Sequence, residues 1–173
     1  MGIVLWLAGF WIWLKMRLDY DEEKILSLLV VVGFGSIFGV LGGLAGLWIY
    51  CKRQNWNFWE WLDVFGVVGL AMYAVSGGEL RLVVGGIGVV WVIWLGRNYR
   101  KIFWYKSGRV GLAGLCALMW WSGGEIVVAM WSKLGLYWGG LTVSQWVSVV
   151  VLSVSATVLL LRGNDRFVWR KRR

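Results

Sequence analysis

A chain of 173 residues that is 60% hydrophobic, with a mean hydropathy of +0.68, is more apolar than soluble domains, which sit near half. Its net charge of +9 is carried at the ends of long apolar blocks, which is the pattern of membrane topology and excludes a nucleic-acid surface. With no His, and only Cys51 and Cys116 as thiols, neither a disulfide framework nor a metal site is expected, and no cofactor is implied.

The blocks read as helices, because membrane strands must close into a barrel and would alternate polar with apolar residues. The expected fold is all-α, a polytopic integral membrane bundle of about six helices forming one transmembrane domain over residues 1–173. The first block, about 3–16, is short for a span, which needs roughly 20 residues. Met16–Lys24 is a charged loop, and Asp21, Glu22 and Glu23 suit the start of a helix. The second block, 25–50, has 26 residues and as one helix would be about 39 Å long. Cys51–Glu60 reads as a polar loop. The third block is 61–76, followed by a tight turn at Gly77-Gly78, and the fourth is 80–96. A basic, aromatic loop fills 97–109 and is expected to anchor at an anionic leaflet. The fifth block is 110–131, and the sixth, 141–161, runs into a basic tail. Many of the sixteen Trp flank the blocks, among them Trp56, Trp61, Trp104 and Trp138, where the headgroup region suits them.

Lys and Arg set the orientation. If every block crosses once, the two sides hold 13 and 5 basic residues; if 25–50 is a broken hairpin, the split is 16 to 2. Either way the 97–109 loop and the C-terminus are cytoplasmic, in a multi-pass protein of the cell (inner) membrane. Charge favours the hairpin. Length favours one crossing, since 13 residues per arm reach only about 20 Å, and a single long helix is the expectation.

Two features stand out. Glycines at 35, 39 and 43, with Gly42 and Gly46 a row away, form a smooth groove for another helix or a lipid tail. Glu125 lies well inside an apolar block, where ionisable groups are costly. It is either a functional carboxylate or a structural partner of Arg81 or of Ser and Trp donors. Glu79 and Asp63, at block ends, read as interfacial caps. In the sixth block Gln145, Ser148 and Ser155 share a face, as a pore stripe or as interhelical glue.

The order of short motifs resembles the bacterial prolipoprotein diacylglyceryl transferase family. Leu41-Gly42-Gly43-Leu44-Ala45-Gly46 is similar to its H-G-G-L-x-G, and the basic stretch before Asp63 to its next loop and helix start. Glu79 falls on the Glu of N-F-x-N-G-E, Glu125 on that of R-F-x-x-E, and residues 141–148 on L-T-x-S-Q-x-x-S. The resemblance implies transfer of a diacylglyceryl group from phosphatidylglycerol to a lipoprotein-precursor cysteine. It implies Glu125 and Glu79 as catalytic candidates, and Gly42, Gly43, Gly46 and Arg81 as lipid-binding ones. The family's His falls at Leu41, two of its polar residues at Ala71 and Ala74, and an Arg at Trp121, so the expected protein is catalytically degenerate. The alternative is a non-enzymatic small membrane protein, such as a transporter, channel subunit or assembly factor, in which the glycine groove packs helices.

Overall fold

Acidic residues before an apolar run complement the positive end of a helix dipole, and Glu22–Ser36 is helical with Glu22 and Glu23 in its first turn (α1). A computed structural model describes residues 11, 12, 16, 20–36, 39–98, 105, 109–131 and 141–163. The further helices are α2 (Gly39–Gln54), α3 (Phe58–Val75), α4 (Glu79–Asn98), α5 (Leu112–Trp131) and α6 (Val143–Gly163). No strand occurs among the described residues, so the all-helical expectation holds. Helices α3 to α6 are each long and apolar enough to cross a membrane. Most of the expected block 3–16, of the 97–109 loop and of the basic tail lies outside the described residues.

The block 25–50 is not the single long helix that its length suggested. Helix α1 stops at Ser36, whose Oγ donates to the Gly33 carbonyl at 2.7 Å. Helix α2 begins at Gly39, whose φ of +81° lies in the left-handed region that favours glycine. The two arms run antiparallel. At one end the Tyr50 hydroxyl donates to the Lys24 carbonyl at 2.8 Å; at the other, Gly35 lies on Gly42. A Cβ on Gly35 would sit 2.5 Å from the Gly42 carbonyl oxygen, and one on Gly46 3.2 Å from that of Val31. The physical reason is contact. Folding the glycine row onto α1 gives it backbone-close packing, which a single helix would leave to lipid.

The polar loop expected over Cys51–Glu60 is also shorter than composition suggested. Helix α2 continues to Gln54 and ends in a Schellman-type cap, with Asn55 at φ 56° and the Trp56 N–H donating to the Cys51 carbonyl at 2.8 Å. Asn57 then caps α3: its Oδ1 accepts from the Trp59 N–H at 3.2 Å and its amide donates to Glu60 at 2.9 Å. Trp56 and Trp61, stacked 5.1 Å apart, are the hydrophobic staple of that helix start.

The chain forms two compact units, 1–65 and 66–173, with α3 running from one into the other. In the second unit α4 and α5 are antiparallel: Arg81 meets Glu125, the Trp120 indole donates to the Val84 carbonyl at 2.8 Å, and Gly88 lies under Trp120. Arg162, ending α6, donates to the Val110 carbonyl just before α5 at 2.8 Å, so this pair is antiparallel too. Leu70, Val92, Ala113 and Ala117 form a buried core there, with Val67, Val89, Trp120 and Trp121 packed on it.

Candidate functional site

A carboxylate inside an apolar helix needs a partner, and Arg81 is the one cation between residues 54 and 96. The structure brings the two together. The Arg81 Nη2 lies 3.1 Å from Glu125 Oε1 and 3.4 Å from Oε2, so both carboxylate oxygens face one guanidinium nitrogen. The Glu125 side chain is 11% exposed and that of Arg81 32%. The pair therefore sits at the edge of the bundle, with the acid inside and the base reaching outward.

Small residues make this possible. Arg81 folds back across Gly77, where a Cβ would collide with its aliphatic stem. Its guanidinium carbon lies 5.6 Å from the centre of the Tyr73 ring, a cation–π distance. Gly124, beside Glu125, lets α5 approach both Val84 and the Tyr73 hydroxyl, which would stand 2.9 and 3.2 Å from an added Cβ. The Tyr73 hydroxyl is buried and makes no well-formed hydrogen bond. Tyr73 is the member that sequence reasoning missed. Its signal was weak: a lone phenol late in an apolar helix, eight residues before the arginine.

The other predicted residues sit elsewhere. Glu79 is the exposed first residue of α4, the position of a helix cap, and Glu125 is buried in α5. Gly43 is packed on Ser36 and Gly46 on Val31, so the row marked as lipid-binding, which includes Gly42, is taken up by the chain's own α1. Among the described residues no cluster of His, Cys, Asp or Glu suits a metal ion.

Next to the ion pair lies an apolar cleft of about 550 Å³, whose lining includes Val84, Trp91, Cys116, Trp120, Gly124 and Leu159. Val84 and Gly124 belong both to this lining and to the surroundings of the pair.

The polar face of α6 is buried. Gln145, Ser148 and Ser155 are each less than 5% exposed. Gln145 closes a capping box: its Oε1 accepts from the Thr142 N–H at 2.8 Å, and its own N–H donates to Thr142 Oγ1 at 3.3 Å. Gln145, one of the residues weighed as a pore stripe or as interhelical glue, thus serves the helix start. Thr142→Ala is expected to lower stability by about 1 kcal/mol in a detergent unfolding titration, with Thr142→Ser nearly silent.

No family model matches this chain, and no curated protein or solved structure is significantly similar to it.

Proposed function

We propose that this chain is a lipid-binding membrane protein on a diacylglyceryl transferase-like scaffold, with transfer activity largely lost. The observation that carries the reading is the cleft beside Arg81. An apolar cleft of about 550 Å³ in a membrane-type bundle suits an acyl chain, and a cation one helical turn from its lining residue Val84 suits a phosphate. A guanidinium carries five N–H donors, and Glu125 engages Nη2, so the same side chain can meet a phosphate oxygen. The preferred lipid is anionic, phosphatidylglycerol by the motif resemblance. Loss of turnover is supported by Leu41 where the family has His, and by Glu125 being held by an arginine in place of a free base position.

The test pairs lipid retention with transfer. Purified protein is exchanged into micelles containing phosphatidylglycerol and phosphatidylethanolamine, and a lipobox peptide with a free cysteine is added. Expected are retained phosphatidylglycerol, no diacylglyceryl peptide, and loss of the preference in Arg81→Gln. Transfer by the native chain that vanishes in Glu125→Ala would overturn the degenerate reading and make Glu125 catalytic. Absence of any lipid preference would favour the second reading, a non-enzymatic transporter, channel subunit or assembly factor. The observation in favour of that second reading is the use of the glycine row for packing the hairpin.

A further inference from the structure

We propose that the α1–α2 hairpin is a re-entrant element. It inserts into one leaflet of the bilayer from the side that carries the basic loops and returns to that side, with a lipid monolayer as its partner. The inference stands on unit 1–65 and is independent of lipid binding at Arg81.

Length comes first. The uncharged stretches 25–36 and 39–50 have twelve residues each, about 18 Å of helix. That passes the midplane of a hydrocarbon core of about 30 Å and stops well short of its far boundary.

Charge and exposure agree with the length. Because the arms are antiparallel, Glu22, Glu23 and Lys24 share one end with Lys52 and Arg53, and all five are exposed. Away from that end, the large exposed side chains are apolar, Leu26, Val30 and Phe34 on α1 and Leu41, Trp48 and Ile49 on α2, while the exposed Ser27 and Ser36 hydroxyls donate to carbonyls of their own helix. Phe34, close to the tip, is 68% exposed, a surface that water would penalise and acyl chains would cover.

The base has the composition of a membrane interface. Tyr20 packs 4.7 Å from Trp56 and 5.2 Å from Trp61, and its hydroxyl donates to Glu60 at 2.7 Å. Tyr20 is thus an amphipathic ring with its polar end on a charged group, as in an aromatic belt. The Lys52 ammonium lies 5.0 Å from the centre of the Trp48 ring, a cation–π distance. Irregular backbone is costly in hydrocarbon, and here α1 and α2 are separated only by positions 37 and 38. The non-crossing arrangement also gives the 16-to-2 division of Lys and Arg, against 13 to 5 for a crossing.

The experiment uses the full chain in sealed membrane vesicles of known orientation. Glu22→Cys and Gln54→Cys are each treated with a membrane-impermeant maleimide, with Arg109→Cys marking the side of the basic loops. The native thiols serve as an internal blank: both are buried, and burial pushes the Cys51 thiol, beyond the apolar stretch, up to about 11. A third variant, Phe34→Cys, carries a nitroxide whose collisions with oxygen and with a water-soluble nickel chelate report depth. Expected are labelling of positions 22 and 54 from the Arg109 side, and a nitroxide at 34 at least threefold more accessible to oxygen than to the chelate. Labelling of 22 and 54 from opposite sides would overturn the proposal, as would labelling of both from the side opposite Arg109. Chelate-accessible nitroxide at 34 would overturn it too, by placing the tip in water.

Discussion

Arg81→Leu is expected to lower the unfolding free energy of the detergent-solubilised protein by about 3 kcal/mol, the lower end of what breaking a buried ion pair costs. The lower end applies because the Arg81 side chain is 32% exposed and already shares its charge with the surroundings. The cost lies mainly with the survivor. Glu125, 11% exposed at the side chain, would keep a charge with no other cation among the described residues within 4 Å, in place of the Nη2 contact at 3.1 Å. The double variant Arg81→Leu/Glu125→Leu is expected to recover most of the loss, since an apolar pair of similar volume leaves nothing unsatisfied. A denaturing-detergent titration of the four proteins gives the coupling energy directly. A loss below about 0.5 kcal/mol in Arg81→Leu would mark the contact as a solvated surface pair. Because Arg81 also lies over the Tyr73 ring, Arg81→Lys separates charge from stacking: it keeps the first and weakens the second.

That pair was legible in the sequence for a reason of scarcity. One carboxylate lies deep in a long apolar block and one arginine between residues 54 and 96, so few pairings were open. The hairpin was legible only in the charge split, which favoured it; span arithmetic favoured one helix, because it treats each block alone and cannot see that Gly35 and Gly42 touch. The same glycine spacing serves a lipid, a partner helix or the chain itself, and only tertiary contact decides among them. At Cys51–Glu60 composition misled: polar residues read as loop, although Asn57 with Glu60 and Trp56 with Trp61 spell a cap and a staple. Gln145 was weighed as part of a pore stripe or as interhelical glue, although its spacing from Thr142 already fitted a capping box. Tyr73 had no periodicity to betray it, since an aromatic in an apolar helix looks like any other packing residue.

Gly85→Ala and Gly86→Ala are expected to move stability in opposite directions, although they are neighbours on one helix and make the same chemical change. Each replaces glycine with the better helix former, a gain of about 1 kcal/mol in an exposed helix interior. At Gly86 nothing lies within 4 Å of the new Cβ, so most of that gain should appear. At Gly85 the new carbon would stand 2.6 Å from the Ala74 Cβ, 2.7 Å from its Cα and 2.8 Å from its nitrogen. Two of these are backbone atoms of α3, which no rotamer change can move, so the helices must separate. Overpacking of this kind costs about 1–3 kcal/mol before the propensity gain is subtracted. Separation would also carry the start of α4, where Arg81 is one turn away, out of register with Glu125, so Gly85→Ala should weaken the ion pair and phosphatidylglycerol retention together. Ala74→Gly in the same chain removes the nearest of the three contacts and should restore part of both. If Gly85→Ala instead melted like Gly86→Ala, the α3–α4 contact would be shown to yield freely. The position of Arg81 would then depend on its stacking over Tyr73 and its reach to Glu125, and not on the helix that carries it.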